Sequence, residues 1–120
     1  MTQEQKDLLI KDICARLPYG VKVSDDEGNV INVVGIHKDA IIVPYAGITR
    51  TIRIDSCRPY LFPMSSMTDE QNLEYLRTCV GGNAGVPTLA SFDWCDKNHF
   101  DYRGLIPMGL AEDATNKNIY

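Results

Sequence analysis

No stretch of the chain is apolar for long enough to matter to a membrane. The longest such run, Val30 to Ile36, is broken by Asn32 and Gly35, whereas a spanning helix needs about 20 apolar residues. The opening MTQEQKDLLIKD is polar and lacks the apolar centre of an export signal. The expectation is therefore a cytoplasmic protein with no membrane partner. Cysteine is present without pairing signals: no two of Cys14, Cys57, Cys79 and Cys95 stand as CxxC. Without export, reduced thiols follow, and all four are read as small buried apolar residues. A basic excess is missing too. With a formal net charge of -4 and a pI near 5.0, the chain lacks the global field that draws phosphate backbones, which disfavours nucleic acid as a partner.

Sequence signatures of cofactor use and catalysis are equally scarce. The run Gly81-Gly82-Asn83-Ala84-Gly85 is glycine-rich, but it has neither the lysine nor the hydroxyl residue of a phosphate-binding loop. It reads as a flexible linker. No GxSxG elbow is present, and no cofactor is implied.

What is there describes one α+β domain. The 120 residues, 44% hydrophobic and 23% charged, suffice for a single core. Thr2 followed by Gln5 predicts a capping box and a helix over 1–18, with Leu9, Ile13 and Leu17 on its apolar face and Lys6, Asp7, Lys11 and Asp12 mostly away from it. Pro18 and Gly20 end it. A β-rich block over 21–63 follows. Val21 and Val23 alternate with polar neighbours, Asp25 to Asn29 is a turn, and Val30 to Ile36 is one β-branched strand. Ala40 to Tyr45 and Ile48 to Ile54 are two more strands around Ala46-Gly47. This antiparallel meander of three to five strands could curl into a small SH3-like barrel. Two prolines exclude Arg58 to Pro63 from a central strand, so an extended crossing segment is expected there. The helical part, 68–111, opens with a second capping box, Thr68 with Gln71, on a helix whose face is Leu73, Leu76 and Val80. Pro87 begins a third helix carrying Leu89 and Phe92, which Asn98 ends. An ordered loop closes this part. The tail, 112–120, is polar and expected to fray, unless Ile119 and Tyr120 dock.

Chemistry-bearing residues concentrate near position 99. Cys95 and His99 are four apart, with Cys57, Cys79 and His37 as further potential ligands, but only one pair has metal-site spacing, and burial of the thiols is the preferred reading. Cys95 or Ser91 with His99 and Asp93 or Asp101 supplies the residue types of a triad, although triads are defined by geometry. Arg58, Tyr60, His99, Tyr102 and Arg103 combine rings, an imidazole and guanidiniums, the composition of binding hot spots. They are expected to meet on one side of the domain around a groove. The competing expectation is structural, with Asp101 pairing Arg103 or Arg58. Arg50 and Arg53, being even and odd, should lie on opposite faces of their strand.

Three segments, Leu17-Pro18-Tyr19-Gly20-Val21-Lys22-Val23, Arg58 to Thr68 (RPYLFPMSSMT) and His99 to Ile106 (HFDYRGLI) continuing through Met108-Gly109-Leu110-Ala111, resemble an uncharacterised family of small proteins from gut-bacterial phages, prophages and mobile elements. They cover about a quarter of the chain. The resemblance implies a phage or mobile-element accessory protein and carries over no catalytic residue. The expectation for function is a non-enzymatic binding module acting on a host protein or sequestering a small anionic ligand. The alternative is a small hydrolase-like enzyme using His99 with Cys95 or Asp101. Neither oligomeric state nor ligand identity follows from the sequence.

Overall fold

A computed structural model describes residues 1–81 and 85–120. The centre of the glycine-rich run, read above as a linker, lies outside the described residues. The chain begins with α1 (Gln3–Arg16). Thr2 accepts from the Gln5 backbone N–H while the Gln5 side chain accepts from the Thr2 N–H, the reciprocal arrangement expected of that spacing. Leu9 and Ile13 are fully buried, each worth about 1.5–3 kcal/mol.

Among the described residues seven strands follow, in two sheets. Strands β1 (Lys22–Ser24) and β2 (Val30–Asn32) form a hairpin, and β3 (Gly35–His37), β4 (Ala40–Tyr45) and β5 (Ile48–Arg53) form a meander. The sequence read Val30 to Ile36 as one strand. The structure divides it at Val33 and Val34: the Val33 N–H bonds back to Val21, while the Val34 N–H bonds to Ile42. The corner sends β2 into one sheet and β3 into the other, so a single β-branched run serves two ladders.

The remaining strands are β6 (Arg58–Leu61) and β7 (Glu112–Asp113), and the sheet orders are β2-β1-β6-β7 and β3-β4-β5. The described residues form no closed barrel, which corrects the SH3-like expectation. One 3₁₀ turn, Ile54–Ser56, separates β5 from β6, and these two strands belong to different sheets.

The prolines of Arg58 to Pro63 do not keep that segment out of a sheet interior. β6 lies between β1 and β7, with Val23 opposite Pro59. The parallel ladder to β7 starts at Tyr60 opposite Glu112, one residue after the position that lacks an N–H. On the β1 side, the next pair is closed by a side chain. The Tyr120 hydroxyl accepts from the Lys22 N–H at 2.9 Å and donates to the Tyr60 carbonyl at 2.9 Å. The C-terminal tail is thus tied down, with the Tyr120 ring stacked on His99 at 3.7 Å between centroids. Burial pushes the Tyr120 phenol up to about 12.

Beyond β6, α2 (Asp69–Thr78) is capped by Thr68 and Gln71 as its spacing predicts. It buries no residue fully, and Leu73 is 56% exposed. Val80 lies past its end, bridged to Val86. Helix α3 (Leu89–Lys97) starts from Thr88 as N-cap, so Pro87 stands outside it, and Asn98 is its C-cap. Of the thiols, Cys57 and Cys95 are buried and Cys79 is half-buried, but Cys14 is exposed. Its position on α1, one residue past Ile13, turns it away from the core. Side chains from α1, both sheets and the loop after α3 make one core, including Leu9, Ile13, Val23, Ile41, Leu61 and Leu105.

Removing only the Tyr120 hydroxyl tests the closed ladder. Tyr120→Phe keeps the ring but orphans the Tyr60 carbonyl and the Lys22 N–H, and should lower the unfolding free energy by about 1 kcal/mol. Amide exchange at Lys22 should quicken; an unchanged rate would mean that the hydroxyl does not hold this pair.

Candidate functional site

The residues singled out from sequence separate into two places. Arg58 and Tyr60 stand on β6 beside an open groove. His99, Tyr102 and Arg103 lie in the segment after α3, which meets the chain just past the end of β6, at Phe62. That segment docks on β6 through backbone bonds: the Phe62 N–H donates to His99 O, and the Asp101 N–H donates to Phe62 O, both at 2.8 Å. The RPYLFP and HFDYRG segments are therefore neighbours, and the Phe62 and Phe100 rings lie 5.8 Å apart. They do not share a cavity, which corrects the expectation of one cluster around one groove.

Arg103 is spent internally. Its guanidinium donates to Asp12 at 2.7 Å and lies 3.6 Å from Asp96. The centre of this network is Arg16, which sequence reasoning passed over. Arg16 has no exposed surface and makes a two-pronged contact to Asp12 with both distances 3.0 Å. It also donates to the carbonyls of Cys95 and Phe100, at 3.3 and 2.7 Å. The Cys95 carbonyl belongs to the last turn of α3, where backbone acceptors lack helical partners and attract cations. Two guanidiniums and two carboxylates balance in charge, as burial requires. Asp12 was expected to face away from the apolar side of α1, but it is fully buried. A signal for both residues existed: Leu9, Ile13 and Arg16 recur at i, i+4 and i+7 on one helix face, and Asp12 is the i-4 partner of Arg16.

Tyr102 completes the network. Its hydroxyl donates to Asp96 at 3.2 Å, its ring stacks on Phe92, and the Arg103 guanidinium lies 4.4 Å from the ring centre. Burial raises the Tyr102 phenol, and burial also raises the Asp96 carboxyl against the pull of Arg16. Asp101 pairs with neither arginine. Its carboxylate accepts the backbone N–H groups of Leu105 and Ile106 at 2.8 and 2.9 Å, fixing the loop as a local anchor.

His99 is sealed rather than poised. It is 5% exposed, its backbone takes a left-handed φ of 61°, and its Nδ1 is buried without a hydrogen-bond partner. Burial, with Arg16 nearby, depresses its pKa to about 4. Burial also lifts the Cys95 thiol to about 11, far from the thiolate character a nucleophile needs. Ser91 is fully buried and donates to the Thr78 carbonyl. Among the described residues no group of three His, Cys, Asp or Glu side chains is placed to hold a metal ion.

The groove beside Arg58 and Tyr60 encloses about 1050 Å³. Its walls are the β1–β2 turn, the Ile54–Ser56 turn, β6 and the loop before β7. Asp25 shapes the first wall by accepting the N–H groups of Glu27 and Asn29 at 3.0 and 2.9 Å, and these bonds lower its pKa. Arg58 reaches Glu112 at 3.3 Å across the groove, both side chains being partly exposed. Carboxylates of Asp25, Asp26, Asp55 and Glu112 outnumber the guanidiniums of Arg53 and Arg58. No family model, curated protein or solved structure matches the chain.

The sealed histidine makes stability depend on pH. Unfolded, His99 takes a proton near 6.5; folded, it resists until about 4. Between these values the unfolded state binds more protons, so stability is full above pH 6.5 and falls as the pH drops towards 4. The loss attributable to His99 should reach roughly 3 kcal/mol. Asp96, raised by burial, acts in the opposite sense, so the comparison must be with His99→Asn. Chemical denaturation of both proteins from pH 7.5 to 4.5 should show a steeper decline for the wild type; parallel profiles would contradict the assignment.

Proposed function

We propose that this protein is a non-catalytic binding module that engages a protein partner through the groove between β6 and the β1–β2 turn. The observation that carries this reading is a contrast. The groups capable of chemistry, His99, Cys95 and Ser91, are buried, while in the open groove the Ser24 hydroxyl and the Cys57 thiol donate to backbone carbonyls rather than to a carboxylate base. Deep burial with shifts away from neutral pH is the reverse of what acid–base or thiolate catalysis uses, which weighs against a hydrolase based on His99 with Cys95 or Asp101.

The groove also favours a protein over a small anionic ligand. Arg103 is neutralised by Asp12 and Asp96, and Arg58 already has Glu112 within 3.3 Å. Four carboxylates line the walls, so a small anion would meet net repulsion there. A protein surface presenting lysine or arginine fits this field. The resemblance to small phage and mobile-element proteins supports a bacterial host protein as the partner, met in the cytoplasm.

A photo-crosslinking residue at Met108, on the groove rim, tests the proposal against the same residue at Arg77 on α2. In bacterial cells the Met108 position should give a discrete protein adduct that Glu112→Arg reduces at least fivefold, and the Arg77 position should give none. Equal adduct patterns from the two positions, or no adduct at Met108, would remove the groove from consideration.

A further inference from the structure

We propose that the outer edge of β5 is a strand-addition site for an acidic, extended peptide segment of a partner. β5 is the last strand of its sheet and six residues long, while the other edge strands, β2, β3 and β7, have three, three and two. Five of its six residues are exposed, and it contains neither proline nor lysine, residues that ordinarily blunt such an edge.

The register says which groups are available. Ala46 and Gly47 both have positive φ, 47° and 82°, the two-residue turn that makes Tyr45 and Ile48 a doubly bonded pair. Bonding to β4 then alternates along the ladder, and the Ile54 N–H donating to Asp39 O at 2.8 Å continues the same phase. Thr49, Thr51 and Arg53 therefore direct their N–H and C=O groups away from β4, where an added strand would find three donors and three acceptors in line.

The two faces of β5 ask for different side chains. One face carries Thr49, Thr51 and Arg53 and borders a hollow of about 370 Å³ lined by Lys6 and Lys38 as well as Asp39 and Asp55. Arg53 lies 3.2 Å from Asp55 but its side chain stays 77% exposed, and the three cations outnumber the two carboxylates. The other carries Ile48, Arg50 and Ile52 beside Tyr45, with Ile48 68% and Tyr45 55% exposed, and it borders Asp25, Asp26 and Glu27. An added strand with carboxylates on the first face and apolar residues on the second satisfies both. A second copy of this chain is the weaker occupant: β5 contributes Arg50 and Arg53 and no acid, so pairing with itself brings four guanidiniums together. The edge shares only Arg53 with the groove, and the inference extends the binding reading without depending on that groove.

The probe is a blocked octapeptide of alternating valine and glutamate, with a valine–lysine octapeptide as control, titrated into the isotope-labelled protein. Amide exchange at Thr49, Thr51 and Arg53 should slow at least tenfold with the acidic peptide, and the basic peptide should bind at least tenfold more weakly. Thr51→Pro removes one outward N–H at an edge position where proline is tolerated, and should abolish the protection while the Ile52 and Val43 amides stay protected. Arg53→Glu, which leaves the backbone unaltered, should reverse the peptide preference. Arg58→Glu in the groove should leave the protection intact. Equal binding of both peptides, protection outside β5, loss of protection in Arg58→Glu, or concentration-dependent protection of β5 without peptide would each overturn the proposal.

Discussion

The structure depends on a guanidinium with no exposed surface, that of Arg16. Arg16 lies at the end of α1, yet all its listeners come from two parts of the chain: Asp12 one turn earlier, and the Cys95 and Phe100 carbonyls and Asp96 some eighty residues later. Removing a charge from water costs several kcal/mol, offset only where geometry and hydrogen bonding are nearly complete. Here that completeness requires the end of α3 and the HFDYRG segment to be in place. The segment in turn bonds to Phe62 at the end of β6. The helical half of the molecule is thereby fixed to the first helix and to the central strand by one network.

That constraint explains why the residues most suggestive of function are structural. Arg103 and Tyr102 complete the charge and hydrogen-bond balance around Asp12 and Asp96. His99 occupies a left-handed position between α3 and the strand-like residues that follow, and its ring is covered by Tyr120. Functional potential moves to surfaces this network leaves open, the polar groove beside β6 and the free edge of β5. The proposed binding reading rests on these two surfaces.

Local signals in the sequence were readable where local physics decides. Thr2 with Gln5 and Thr68 with Gln71 cap helices because three-residue spacing alone sets that geometry. Alternation from Ile48 to Arg53 around a positive-φ turn made a hairpin. Long-range choices were not readable. Nothing in Val30 to Ile36 says that its two halves join different sheets, and Pro59 can lie inside a sheet only because β7 starts pairing one residue later. Of the five site residues inferred from sequence, Arg58 and Tyr60 reach the groove while the other three do not. Hot-spot composition does not distinguish a ring and guanidinium facing solvent from the same groups folded onto Asp12. The helical spacing of Leu9, Ile13 and Arg16 did carry that information.

Unfolding of Arg16→Met, followed by denaturant titration alongside the wild type, tests the central role of this guanidinium most directly. The substitution keeps much of the side-chain volume but leaves Asp12 buried against Arg103 alone and strips one of the two donors from each of the Cys95 and Phe100 carbonyls, which keep only the Phe100 and Tyr102 N–H groups. The network predicts a loss of about 3–5 kcal/mol. A loss below about 1 kcal/mol would show that the helical half is held by apolar packing instead, and that Arg16 is merely accommodated.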